Sequence, residues 1–204
     1  MGEGPHRSRM LIYLHGFNSD PASHKAQVLK GDMEARGLGA AYRCPKLIYE
    51  PNAAIAAAER EVAAARINDP QAPLTFVGSS LGGFYATYLA QKHDAWAVLL
   101  NPAVHPQQRL ERYLGPQTNL FTGEAYELTP AHIEQWRALD VPVRDPWRFL
   151  LIVETGDEVL DFRLAVQKYA GAEQIVIEGG DHSLRSFPAH IPRILEFAGL
   201  RSDI

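Results

Sequence analysis

Six short apolar runs punctuate the chain, spaced so that a helix or a longer insertion fits between each pair. Met10-Leu11-Ile12-Tyr13-Leu14 is apolar without a break, the pattern of a strand buried on both faces. Similar runs at Ala40–Arg43, Leu74–Val77, Trp96–Leu100, Phe149–Val153 and Gln174–Ile177 are predicted as strands. The intervening segments carry helical periodicity. Asp20-Pro21 offers a cap and a first-turn proline, Ala26, Leu29 and Met33 follow on one face, and Gly37 ends the run. Asn52 to Arg66 is rich in alanine, with Ile55, Ala58, Val62 and Ala65 on one stripe. Phe84–Lys92, Leu160–Tyr169 and Ile191–Phe197 are the other predicted helices. Strands alternating with helices predict an α/β architecture, a doubly wound and mainly parallel sheet of about six strands with right-handed crossovers.

One segment breaks the rhythm. From Ala103 to Arg148 there are five prolines and several aromatic residues but no strand-like run. A structureless loop of that length is unusual inside a compact domain. The segment is therefore predicted as a small helical cap, with short helices near 106–114 and 130–138, inserted into a single domain spanning 10–204. Residues 1–9 are predicted to be a disordered leader.

Composition narrows the function. The chain has 204 residues and a net charge of −4, which gives no electrostatic case for a nucleic-acid or anionic-membrane partner. Only five apolar residues follow Arg7 and Arg9, too few for a signal sequence or a membrane helix, so a cytoplasmic location is expected. The single cysteine, Cys44, fits a reducing compartment and has no base motif beside it, which favours a buried structural role. None of the eight histidines has metal-ligand spacing, and neither a metal nor a cofactor is expected.

The candidate chemistry collects at predicted strand ends, where ligands bind in open α/β sheets. Gly78-Ser79-Ser80-Leu81-Gly82 lies between a strand and a helix, with glycines two positions either side of Ser80. This is the nucleophile-elbow pattern, in which the turn is too tight for side chains at the glycine positions. Ser79 has Val77 and Leu81 at the corresponding positions and does not fit. A serine hydroxyl needs a base, and His182 follows Gly179-Gly180-Asp181 after the last strand. A carboxylate must orient that base. Asp157 is the first after Gly156 and the best placed, with Asp161 its principal rival as a helix cap, and Glu158 and Asp181 nearby. The order Ser80, Asp157, His182 is that of α/β-hydrolases. The backbone N–H groups of Leu81 and Phe17 are the expected oxyanion donors. His15 is expected to hold that loop by hydrogen bonds rather than to react, and His190 to be a surface residue. Phe121, Tyr126 and Trp136 of the cap, with Asn18, are candidates to line the substrate pocket, although such aromatics serve as often in a core.

Taken together, Tyr13-Leu14-His15-Gly16-Phe17-Asn18-Ser19 with Pro21 and Lys25-Ala26, the block Gly78 to Ala86, Asn101-Pro102-Ala103, Thr155 to Asp161 and Gly179 to His182 resemble the YqiA-type esterases, small bacterial α/β-hydrolases. The resemblance spans about residues 10–198. It implies hydrolysis of a small-molecule carboxylic ester or acyl thioester without a cofactor, with Ser80, Asp157 and His182 in the catalytic positions. Acyl-CoA thioesterase or other α/β-hydrolase chemistry, and an inactive hydrolase-fold binding protein, are the alternatives.

Overall fold

A computed structural model describes residues 9–200. Of the expected leader, only Arg9 is among them. Six parallel strands form the main sheet: β1 (Met10–Leu14), β2 (Tyr42–Arg43), β3 (Leu74–Ser79), β4 (Trp96–Leu100), β7 (Phe149–Glu154) and β8 (Glu173–Ile177). They lie in the order β2-β1-β3-β4-β7-β8. The chain winds outward from β1 to β2, then returns past β1 to β3 and winds the other way. The order therefore reverses between β1 and β3, which opens a crevice at their carboxyl ends.

The apolar runs are long because both faces of the sheet are covered. Ile12, Phe76, Leu99 and Leu151 face one core layer, shared with helices α2 (Pro51–Ala65) and α3 (Leu81–His93). Leu11, Val77, Val98 and Ile152 face the other, against α1 (His24–Ala35) and α7 (Phe187–Phe197). α6 (Phe162–Lys168) packs Ala165 into the first layer. Among the described residues, no helix is long and apolar enough to cross a membrane.

Two helices begin earlier than periodicity predicts. α3 starts at Leu81, not Phe84, and takes Gly82-Gly83 into its first turn. Close packing overrides the low helix propensity of glycine here, because a Cβ on Gly82 would be driven into the Leu14 carbonyl. α7 starts at Phe187, with Pro188 in the first turn where no backbone donor is needed.

The cap differs most from expectation. The predicted first helix is only α4 (Pro106–Leu110) and a 3-10 turn at Glu111–Tyr113. It is followed by an antiparallel hairpin, β5 (Gly115–Thr118) with β6 (Ala125–Leu128), that the sequence reading did not include. Gly115, at φ +104°, and Pro116 stop the helix. Asn119 closes the hairpin, its side-chain oxygen accepting from the N–H groups of Phe121 at 2.9 Å and Thr122 at 3.0 Å. The second helix, α5 (Pro130–Leu139), lies where predicted and starts from a capping box between Thr129 and His132.

α5 is stapled to the body. Trp136 Nε1 donates to the buried Tyr85 hydroxyl at 2.8 Å. Asp140, just beyond α5, accepts from His105 at 2.7 Å, Gln107 at 2.9 Å and Lys168 at 2.8 Å, joining three segments.

Candidate active site

The β1 and β3 ends meet at the crevice. Ser80 sits between β3 and α3 at φ 54°, ψ −120°, a backbone conformation rarely adopted by a residue with a side chain. The surrounding contacts hold it there. Ser80 N–H donates to the Leu100 carbonyl at 3.0 Å, and the Ser80 carbonyl accepts from Gly83 N–H at 2.9 Å and Ala103 N–H at 3.0 Å. A Cβ on Gly78 would collide with the Gly82 carbonyl, so both glycines of the predicted elbow are sterically required. Gly16 approaches from β1, where an added Cβ would lie 3.3 Å from Ser80 Cβ.

His15 is buried at the end of β1 and fixes the loop that follows. Its Nε2 accepts from Leu47 N–H at 3.0 Å, so Nδ1 carries the proton and donates to the Gly16 carbonyl at 3.1 Å. Burial lowers its pKa, which keeps the ring neutral. The expected structural histidine is found here. The Phe17 ring packs edge-on against Tyr126 and Trp136. Among the described residues, neither the Phe17 nor the Leu81 N–H donates a hydrogen bond within the protein. Both residues line a cleft that contains Ser80, and the positive end of the α3 dipole lies at Leu81.

The β7 and β8 ends supply the other groups. Ser80 Oγ lies 3.1 Å from His182 Nε2. His182 Nδ1 lies 2.8 Å from Asp157 Oδ2. A carboxylate only accepts, so the Nδ1 proton points at Asp157 and leaves Nε2 free to accept from the hydroxyl. Asp157 is itself held, its other oxygen accepting from the N–H groups of Val159 and Leu160 at 2.8 Å each. Its side chain is 2% exposed. Gly156 is needed because a Cβ there would meet the Gly180 carbonyl.

Three further residues position the His182 loop without having been singled out by sequence reasoning. Glu154 ends β7 and is 2% exposed. It accepts from Asp181 N–H at 2.8 Å, Ser186 N–H at 3.2 Å and the Ser186 hydroxyl at 2.5 Å. Burial raises its pKa, but these hydrogen bonds outweigh it and leave the carboxyl below its ordinary value. Asn101, at φ 40°, donates to the carbonyls of Asp181 at 3.1 Å and His182 at 3.4 Å and accepts from Glu154 N–H at 3.0 Å. Lys25 Nζ donates to the Ser183 carbonyl at 2.7 Å. A carboxylate closing an otherwise apolar strand is the sequence signal for Glu154, and Asn101 and Lys25 belong to the blocks Asn101-Pro102-Ala103 and Lys25-Ala26.

The remaining expected residues divide. Ser79 is buried at the end of β3, and Ser80 is the serine that reaches His182. Asp161 is exposed and caps α6 by accepting from Arg163 N–H at 3.0 Å. Cys44 is half-buried, and burial pushes its pKa up to about 11. Phe121 and Asn18 each line a cleft at Ser80. Trp136 is a correction, because it is wholly buried as part of the core and faces neither cleft. Tyr126 is a second correction: it lies behind the clefts, donating to Asn18 Oδ1 at 2.6 Å and stacking on Tyr49 at 4.2 Å. Both belong to the support of the Phe17 loop.

Two clefts meet at Ser80 and His182. One, of about 480 Å³, runs along the His182 loop and includes Lys25, Ser183 and Arg185. The other, of about 300 Å³, lies under the cap and is walled by Leu110, Tyr113, Leu120 and Leu160, with Arg109 and Arg112 among its lining. A hydroxyl, an imidazole and a carboxylate in line, with unused N–H donors beside the hydroxyl, form an arrangement suited to acyl transfer.

The sheet order, the elbow and the positions of these groups define an α/β-hydrolase fold. Solved structures agree. Est1E from Butyrivibrio proteoclasticus is similar at a TM-score of 0.70 and 14% identity, with 96% of this chain and 90% of that chain covered. Alpha/beta hydrolase domain-containing protein 10 from mouse is similar at a TM-score of 0.64 and 17% identity, covering 98% and 91%. Residues 10–199 match the model of UPF0227, an uncharacterised protein family, and the chain belongs to that family. The UPF0227 protein YcfP of Salmonella paratyphi B is 26% identical over 195 residues, covering 94% of this chain and 99% of the relative.

Proposed function

We propose that the protein is a serine hydrolase that cleaves acyl esters through an acyl-enzyme on Ser80. The observation that carries this reading is the relay from Ser80 Oγ to His182 Nε2 at 3.1 Å and from His182 Nδ1 to Asp157 at 2.8 Å. His182 takes the Ser80 proton as Oγ attacks the substrate carbonyl, while Asp157 stabilises the imidazolium that forms. The N–H groups of Phe17 and Leu81 receive the oxyanion, a site where losing one donor typically costs about 10²–10³ in rate. His182 then protonates the leaving group, and water, deprotonated by His182 in turn, releases the acid and restores Ser80.

Ser80→Ala should abolish p-nitrophenyl ester cleavage, a loss on the order of 10⁶, and should also abolish labelling by a fluorophosphonate while leaving the thermal transition intact. Labelling that persists in Ser80→Ala, or wild-type protein that takes no label, would exclude the mechanism. The second result is the one an inactive binding protein of this fold would give.

A further inference from the structure

The two clefts that flank Ser80 have a charge opposite to that of the whole molecule. The chain carries a net charge of −4, yet the lining of the clefts includes Lys25, Arg109, Arg112 and Arg185 and no aspartate or glutamate. Two of the four cations are already engaged. Arg185 pairs with Asp181 at 2.7 Å, and Lys25 is tied to the Ser183 carbonyl at 2.7 Å. The two arginines of the cap are different. Arg109 is half-buried in the last turn of α4, and Arg112, which is exposed, follows it in the 3-10 turn. Arg112 meets the neighbouring Tyr113, donating to its hydroxyl at 3.2 Å and lying 5.0 Å from its ring centre. Among the described residues, neither guanidinium meets a carboxylate, and both line the smaller, mainly apolar cleft that contains Ser80.

A guanidinium without a carboxylate partner leaves its donors free for a ligand, and their planar array matches carboxylate and phosphate oxygens. From this juxtaposition we infer that the substrate is an anionic ester, with a carboxylate or phosphate that Arg109 and Arg112 receive while the scissile carbonyl lies at Ser80. The inference rests on the hydrolase reading above and deepens it. The negative charge has two sources, the acyl chain or the leaving group, and the shared chemistry is an anion held by the arginines of the cleft that Leu110 and Leu120 also line. A cationic site on an anionic molecule also focuses the field on incoming substrate, which raises the association rate at low salt.

Two matched substrate pairs test the proposal. The p-nitrophenyl monoester of glutarate against p-nitrophenyl butyrate places the charge on the acyl side. Butyryl-CoA against butyryl-N-acetylcysteamine places it on the leaving group. In at least one pair, kcat/KM for the anionic member should exceed that for the neutral one by about tenfold. The excess should shrink as salt is raised and collapse in Arg109→Gln/Arg112→Gln. Lys30→Gln, which removes the same charge from the outer surface of α1, should keep the ratio. The pair that responds identifies which part of the substrate the cap reads. Cleavage with no charge preference in either pair, or a preference that survives the double substitution, overturns this inference alone. No cleavage of any of the four overturns the hydrolase reading and the inference with it.

Discussion

Four carboxylates that the sequence offers as partners of the imidazole are separated in space by what else each one holds. Asp157 spends one oxygen on His182 and the other on two backbone N–H groups, with its side chain almost wholly buried. Asp161 spends both oxygens on Arg163, whose hydrogen bonds hold its carboxyl below the ordinary value. Asp181 is turned to Ser183 and Arg185, and Glu158 accepts from His182 N–H, not from the ring. On the proposed mechanism, Asp157→Asn should lower kcat by ~10⁴, because the amide favours the wrong tautomer of His182. Asp161→Asn should leave kcat within about threefold and unfolding little changed, because asparagine caps a helix as well as aspartate does, read by ester kinetics and urea unfolding on both variants. A loss of activity in Asp161→Asn as deep as in Asp157→Asn would reassign the acid. The juxtaposition of Ser80, Asp157 and His182 was legible because each sits where an apolar run stops at a glycine-bearing turn. Asn101 and Glu154 were not legible in this way, since their roles consist of contacts made far along the chain, such as Glu154 N–H on the Asn101 side chain.

At the scale of elements, legibility followed burial. β1, β3, β4 and β7, covered on both faces, left unbroken apolar runs, and all six strands were placed to within two residues at each end; β2, only two residues long, was predicted over Ala40–Arg43. The hairpin β5–β6 is an exposed ribbon whose inward side chains alternate with solvent-facing ones over only four residues a strand, too short a pattern to compete with the helical reading of its neighbours. Trp136 shows the same limit from the other direction. Its composition suited a pocket wall, but the indole N–H found a buried acceptor on α3 and the ring became core. That bond ties the cap to the helix that begins at the elbow. Tyr85→Phe leaves the Trp136 N–H buried without an acceptor, at a cost of about 1–3 kcal/mol. In a double-mutant cycle with Trp136→Phe, the two substitutions should couple by about 1 kcal/mol in urea unfolding. Additive effects would mean that the bond contributes nothing beyond packing.

At the scale of the whole molecule, the groups that hold the two loops of the site also make the fold sensitive to acid, in two separable windows. His15 has a pKa depressed by burial from its ordinary 6.5, so the unfolded chain takes up its proton first. The stability His15 contributes is complete above about pH 6.5 and is lost as the pH falls from there towards its folded pKa. Glu154 behaves likewise lower down. Burial opposes its charge, but the donors on Ser186 and Asp181 hold its pKa below the ordinary 4.5, so its contribution is present above that value and lost as the pH falls through the folded pKa. His15 supports the Phe17 loop and Glu154 the His182 loop, so acid should weaken the Phe17 side of the crevice before the His182 side. Urea midpoints measured at about pH 7.5, 5.5 and 4 should fall in both intervals for the wild type. His15→Gln should reduce the fall in the first interval, and Glu154→Gln the fall in the second, each from a lower starting stability because a buried hydrogen-bonding group has been altered. A first-interval slope unchanged in His15→Gln would assign that window to other histidines, and a second-interval slope unchanged in Glu154→Gln would remove the β7 carboxylate from the acid response.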